Sequence, residues 1–272
     1  MTLRIGCPNI CDYCPQGVLR QVYQGQREFT LPSFQDCLEN GKVPLSKNLT
    51  FMGFGEPFLC RDCVSIIRWS MLTRGHGGSI STTLRGATRE GIDALAGLPF
   101  TDTIIHVPDD NGRMKLEVTD EWLDLFAYAL TRWRHHEEFN ISCYGPPHRR
   151  LLPLWTASGL RINNYRPHDR AGLLPNEVHA KHRGPLFTCG KRYCGHLLPN
   201  GDVCRCCSDY GLQNVWGNLH VNTYDELYHS QAFRDYMKSL NVDGNTPCHY
   251  CTDTYHQTNP EDQHKTYENP CD

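Results

Sequence analysis

Leu3-Arg4-Ile5-Gly6-Cys7-Pro8-Asn9-Ile10-Cys11-Asp12-Tyr13-Cys14 begins as a short apolar, strand-like segment and runs at once into three cysteines in the spacing Cys-x3-Cys-x2-Cys. Three thiolates on one short loop suit a metal centre better than a packed core. A cubane iron–sulfur cluster is normally held by four Cys. Three close ligands with no local fourth would leave one iron open to a small molecule. A zinc site completed by a distant Cys or His is the competing reading.

Outward from this loop, strand-like and helix-like segments alternate. Residues 48–53 (NLTFMG) read as a strand and 64–73 (VSIIRWSMLT) as a helix. Residues 78–83 form a weaker strand, followed by a capped helix over 88–98. Residues 102–107 (DTIIHV) are strand-like, and 119–135 is the clearest amphipathic helix. A strand over 139–144, a helix over 147–160 and a last strand over 161–165 complete about six strand–helix units. Such alternation argues for parallel strands with helical crossovers, an α/β fold. Residues 167–188 read as a linker. A hairpin around Asn200-Gly201-Asp202, a helix over 223–240, a CxxC pair and a mobile polar tail (254–272) follow.

The 27 Lys and Arg against 30 Asp and Glu leave a net charge of -3, which argues against a strongly cationic nucleic-acid binder. With 39% hydrophobic residues and a mean hydropathy of -0.54, the chain reads as soluble. No apolar run approaches the roughly 20 residues of a membrane span. The start MTLRIGCPNI carries no signal-peptide pattern, so a cytoplasmic location is expected. Fifteen cysteines are then too many to be explained by disulfides in a reducing compartment, and their odd number excludes complete pairing within the chain. Cys7, Cys11 and Cys14 open the chain. Cys189, Cys194, Cys204, Cys206, Cys207, Cys248 and Cys251 crowd its last third, suggesting two metal sites in two structural units.

The Cys7-x3-Cys11-x2-Cys14 loop, with Tyr13 before its last Cys, resembles that of the radical S-adenosylmethionine (SAM) superfamily. Gly53-Phe54-Gly55-Glu56-Pro57 after the second strand resembles the family's Gly-Gly-Glu-Pro motif, with Phe54 as a departure. The resemblance implies a partial (β/α)6 TIM-like barrel with its chemistry at the strand C-termini. It implies a [4Fe–4S] cluster on Cys7, Cys11 and Cys14 whose open iron chelates SAM, and SAM contacts from Tyr13, Gly53, Gly55, Glu56 and Pro57. Ser81, Thr82 and Thr83 fit the polar position after the third strand. Asp109, within His106-Val107-Pro108-Asp109-Asp110, is the candidate after the fourth, where the chain departs from the family pattern. All four could equally be ordinary loop groups.

Cys189, Gly201-x4-Cys206, Gly217-Asn218-Leu219 and Cys248-x2-Cys251 resemble the SPASM/twitch extensions of some radical SAM enzymes. With only Cys271 after the CxxC, the shorter twitch arrangement is expected. It implies a second [4Fe–4S] cluster on Cys189, Cys206, Cys248 and Cys251, with Cys207 as alternative to Cys206. A four-cysteine zinc site competes, and His249 within the CxxC keeps it open. Cys60 and Cys63 read as non-ligating, Cys37 and Cys143 as small apolar fillers, and His135-His136 as a solvated face. The expected divisions are a radical SAM barrel over 1–170, an auxiliary-cluster domain over 171–255 and a polar tail over 256–272.

Size and the single auxiliary cluster are most like the aminocyclitol dehydrogenases of butirosin biosynthesis. This similarity implies oxidation of a small polar or sugar-like alcohol, with the auxiliary cluster accepting an electron. Arg170, in Arg170-Ala171-Gly172-Leu173, is the tentative substrate residue, with Arg166 and His168 as rivals and a linker salt bridge or a backbone hydrogen bond as the plain reading. The expected partners are a small-molecule substrate and a low-potential donor such as flavodoxin or ferredoxin, with neither membrane nor nucleic acid. The alternatives are modification of a ribosomally made peptide, whose enzymes often carry a leader-binding domain that the residues before Cys7 leave no room for, and a zinc-stabilised binding module.

Overall fold

Two short helices, α1 (Gln16–Val22) and α2 (Leu31–Leu38), precede the first sheet strand. Phe34, Cys37 and Leu38 are buried at i, i+3 and i+4, so the helical period is present but short. The computed structural model describes residues 1–39, 42–75, 77–159, 162–164, 169–174, 186–189, 194–242, 246–252 and 254–256. These divide into two units, each assembled from separate stretches. The first comprises Met1–Asp12, Arg27–Phe34 and Asn48–Arg166; the second comprises Tyr13–Gln26, Gln35–Lys47 and Pro167–Asp272. Among the described residues, no helix is long and apolar enough to cross a membrane.

The first unit is built on β1 (Thr50–Phe51), α3 (Cys63–Arg74), β2 (Ser79–Thr82), α4 (Arg89–Ala96), β3 (Asp102–His106), α5 (Asp120–Trp133), β4 (Phe139–Cys143), α6 (Leu152–Ser158) and β5 (Ile162–Asn164). The five strands pair in sequence order, and every pairing is parallel. Thr88 caps α4 by accepting from Gly91 N at 3.1 Å, and Thr119 caps α5 by accepting from Trp122 N at 3.2 Å.

About six strand–helix units were expected, and among the described residues the sheet has five strands. Residues 3–5 turn toward 27–29 instead of joining it. Ile5 N donates to Arg27 O, Phe29 N donates to Leu3 O, and Arg4 bridges antiparallel to Glu28 with a 2.6 Å ion pair. The start of the chain also runs beside β1 and the residues after it, through Met52 N donating to Met1 O and Phe54 N donating to Thr2 Oγ1.

Side-chain alternation gives the sheet two unlike faces. Ile80, Thr103, Ile105, Ile141 and Cys143 lie on the helix-covered face and are fully or almost fully buried. Thr103 Oγ1 meets His136 Nδ1 there at 2.8 Å. The opposite face carries Ser81, His106, Asn140, Ser142 and Asn163. Asn163 Nδ2 donates to Asn140 Oδ1 and Asn140 Nδ2 to Asp102 Oδ1, so polar contacts run across three strands.

The second unit contains β6 (Leu186–Thr188), β7 (His196–Leu197), β8 (Asp202–Cys204), β9 (Val215–Asn218), α7 (Tyr224–Tyr228), α8 (Gln231–Leu240) and β10 (Tyr255–His256). Strands β7, β8 and β9 form an antiparallel sheet, and the expected hairpin joins the first two. Gly201 closes that turn at φ +86°, where a Cβ would lie 2.3 Å from the His220 ring. Asn218 Nδ2 donates to Asn200 O and Asp202 Oδ1, both at 2.9 Å, and so fastens the Gly217-Asn218-Leu219 turn to the hairpin. Trp216 on β9 packs edge-on against Tyr228 and Phe233.

Several expectations need correction. The single helix over 223–240 is two helices, because Ser230 caps α8 by accepting from Phe233 N at 3.1 Å. The helix expected from Pro147 begins later, after a 3-10 turn at Arg149–Leu151. The start of the polar tail is ordered, with β10 antiparallel to β6; its residues 257–272 lie outside the described ones. His135 is exposed, whereas His136 is buried against Phe100 and bonded to Thr103, so the pair is not a solvated face. Cys194 is disulfide-bonded, and the other described cysteines are in no disulfide.

Candidate metal and cofactor sites

In the first unit, Gly53-Phe54-Gly55-Glu56-Pro57 leaves β1 and turns into a 3-10 helix at Pro57–Leu59. Gly53 sits at φ +134°, and a Cβ on Gly55 would lie 2.2 Å from Arg4 O, so both glycines are required by the backbone path. Phe54 is fully buried, and Pro57 is also buried. Glu56 is only 4% exposed and collects four donors: Thr82 Oγ1 at 2.5 Å, Thr83 N and Oγ1 both at 2.7 Å, and Phe58 N at 3.3 Å. Burial raises its pKa, and these hydrogen bonds oppose the rise. Its acceptor positions are thus filled, so a ligand ammonium would displace a donor, Phe58 N being the most distant.

Ser81 points to the other face, where its hydroxyl meets His106 Nε2 at 2.6 Å. His106 Nδ1 meets the Ser142 hydroxyl, and the ring stacks on Tyr144. No sequence motif marks this Ser–His–Ser row, because it assembles from three strands. Asp109 is buried and closes its own loop, accepting from Arg113 N at 3.1 Å and Met114 N at 2.9 Å.

Of the N-terminal cysteines, Cys7 and Cys11 belong to the first unit and Cys14 to the second; all three thiols are partly exposed. Gly6 precedes Cys7 at φ +92°. Asn9 is buried within the loop, its Oδ1 taken by Arg85 Nη1 and its Nδ2 without a protein partner. In the second unit, Cys14 Sγ lies 3.3 Å from the buried Tyr210 hydroxyl and accepts from Gln16 Nε2 at 3.5 Å. Tyr210 was not singled out from the sequence, where it is one tyrosine among 13. Tyr13 is buried, and its carbonyl accepts from Arg170 Nε at 3.2 Å. Arg170 thus makes the backbone hydrogen bond of the plain reading, while Arg166 and His168 lie outside the described residues.

The C-terminal cysteines are brought together. Cys189, Cys206, Cys248 and Cys251 line one cavity of the second unit, with Arg205 and Tyr236 in its wall. Cys206 rather than Cys207 faces it. Cys204 is fully buried and donates to His196 O at 3.5 Å. Burial pushes the Cys206 thiol up to about 12, with the Arg205 cation pulling the other way. His249 turns from the cavity: its ring nitrogens meet Thr246 Oγ1 at 2.8 Å and Val242 O at 2.9 Å. Asp169 Oδ1 accepts from Ala171 N and from Thr252 N and Oγ1, tying the Arg-Ala-Gly segment to the CxxC. Cys60, Cys63, Cys37 and Cys143 are buried, and none of them lines this cavity. Burial pushes the Cys60 thiol up to about 12 and that of Cys143 to about 11.

Among the described residues, no three His, Cys, Asp or Glu side chains stand close enough to share a single metal ion. The four thiols surround a space instead, and an iron–sulfur cubane is a body rather than a point. Arg205, 2% exposed, lines that space with Nε and Nη2 lacking hydrogen-bond partners. A buried cation beside four thiols is the complement of an anionic cluster, so the residues present fit such a group.

The chain comprises a parallel α/β unit and a cysteine-lined unit. The model of the SPASM family, an iron–sulfur cluster-binding domain, matches residues 189–252. The structure of BtrN in complex with AdoMet and 2-DOIA matches with a TM-score of 0.65 and 16% identity over 94% of this chain and 93% of that one. Streptococcus suis SuiB bound to precursor peptide SuiA gives 0.64 and 12% over 92% and 68%. Native anSMEcpe with bound AdoMet gives 0.55 and 14% over 88% and 81%. At these identities the likeness is one of fold. No curated protein matches the sequence. The resemblance to radical SAM enzymes with a SPASM or twitch-type domain agrees with this fold, and the family match supports an iron–sulfur cluster within residues 189–252.

Proposed function

We propose that the chain is a radical SAM oxidoreductase that oxidises a small polar or sugar-like alcohol. Residues 1–170 would form the radical SAM part and 171–255 the auxiliary-cluster domain. The observation that carries the reading is the cavity walled by Cys189, Cys206, Cys248 and Cys251 with the buried Arg205. When bound, SAM and the two clusters supply a hydrogen-abstracting radical and a route for one electron.

The chain's own residues hold and position. Cys7, Cys11 and Cys14 would ligate the first cluster, and the four cavity cysteines the second. Tyr13, Gly53, Gly55, Glu56, Pro57, Ser81, Thr82 and Thr83 would form the surroundings of SAM. Asp109 shapes the loop after β3. Oxidation of a secondary alcohol to a ketone removes a hydrogen atom from carbon, a proton from the hydroxyl and one electron. His106, held between Ser81 and Ser142, is placed to take that proton on the polar face of the sheet. That face, with Asn140 and Asn163, suits hydroxyl groups better than apolar side chains. Arg170 would orient the substrate.

The second reading, peptide modification, is favoured by the fold likeness to SuiB with its precursor peptide and to anSMEcpe, also solved with AdoMet and the Kp18Cys peptide. The test is anaerobic reconstitution with iron and sulfide, followed by reaction with SAM and a low-potential reductant such as reduced flavodoxin. Release of 5′-deoxyadenosine together with a ketone from a polyol panel is the expected result. A modified peptide with no ketone would select the second reading. Zinc in place of iron in anaerobically prepared protein would return the chain to the zinc-stabilised binding module.

A further inference from the structure

We propose that Arg205 raises the reduction potential of the group held by Cys189, Cys206, Cys248 and Cys251, and that Asp209 moderates this effect. The proposal rests on reading that cavity as a four-iron site. Arg205 leaves β8 between two cysteines and is 2% exposed. Its Nη1 donates to Cys248 Sγ, while Nε and Nη2 have no hydrogen-bond partner. The nearest carboxylate, Asp209 Oδ1, is 3.9 Å from Nη2 and 1% exposed. That carboxylate is already engaged by Gln213 N at 3.1 Å and Asn214 N at 3.0 Å.

An interior guanidinium with one sulfur acceptor and a single carboxylate 3.9 Å away is only partly compensated by protein alone. It lines the cavity, so the missing negative charge belongs there. A cubane with four thiolate ligands is a dianion when oxidised and a trianion after accepting one electron. A fixed cation at its edge stabilises the trianion more, and burial keeps solvent ions from screening the attraction. The hydrogen bond to Cys248 acts in the same direction by drawing charge from the sulfur. Asp209 opposes both. Arg205 thereby favours electron acceptance at this site, which a dehydrogenation requires.

The test uses the full chain with Cys7, Cys11 and Cys14 replaced by Ala, so that one cluster remains. EPR-monitored redox titration compares this parent with Arg205→Gln, Arg205→Lys and Asp209→Asn, each after iron and sulfide analysis. The expected midpoint falls in Arg205→Gln, stays near the parent in Arg205→Lys and rises in Asp209→Asn. A purely structural Arg205 would change cluster content without these opposite displacements. Unshifted midpoints in Arg205→Gln and Asp209→Asn, with iron and sulfide bound, overturn the role of Arg205 and leave the cluster reading standing. Should Arg205→Gln assemble no cluster, Asp209→Asn decides, and a midpoint at or below the parent's overturns the proposal. Zinc or no metal in the parent overturns the cluster reading and the proposal with it.

Discussion

Glu56 in the first unit and Arg205 in the second are both buried, charged and adjacent to candidate cofactor residues, yet the protein satisfies them differently. Glu56 receives four donors from its own unit. Arg205 finds one sulfur acceptor and leaves two nitrogens without hydrogen-bond partners, with Asp209 3.9 Å away. The first charge is built into the scaffold that joins the Gly-rich loop to β2. The second is left for something the cavity would contain. A saturated charge therefore marks architecture, and an under-compensated one marks a ligand.

The sharpest break of this comparison is Cys248→Ala. It should remove about four of roughly eight irons per chain and reduce ketone formation to background, while SAM cleavage continues. Cys60→Ala, by contrast, should leave iron content unchanged. With substrate deuterated at the reacting carbon, label should still reach 5′-deoxyadenosine in Cys248→Ala. Ketone formed at the parent rate would reduce the C-terminal unit to a structural lid.

Next in size is His106→Ala, expected to slow ketone formation about a hundredfold without altering iron content or label transfer. An unchanged rate would assign the proton to solvent. Glu56→Ala should weaken SAM binding about tenfold and cost about 1–3 kcal/mol of stability, because buried donors on Thr82 and Thr83 lose their acceptor. Calorimetric titration and denaturant melts separate the two effects. Stability lost with SAM affinity intact would make Glu56 purely architectural.

The smallest effect concerns His136, whose burial lowers its pKa from the ordinary 6.5. The unfolded chain then takes up a proton first, so the stability His136 contributes is whole above about pH 6.5 and is lost as the pH falls below it. His136→Gln should lose less melting temperature than the parent between about pH 7.5 and 5.5, by a few degrees. Equal losses would show that other groups dominate acid unfolding.

Much of this protein was written locally in its sequence. Thr88 and Thr119 mark helix starts, the Ile-rich strands mark the sheet, and Asn200-Gly201-Asp202 marks a hairpin, because caps, alternation and turns act within a few residues. The cysteine spacings likewise named the ligand candidates, since loop chemistry depends on neighbours. Tertiary structure alone decided the rest. It turned residues 3–5 toward Arg27 and Glu28, buried His136 against Phe100 and selected Cys206 rather than Cys207 for the cavity wall. It also assembled Ser81, His106 and Ser142 from three strands and left Arg205 facing four thiols. Each of these outcomes depends on groups far apart in the chain, whose contacts are fixed only when burial favours partners for polar atoms.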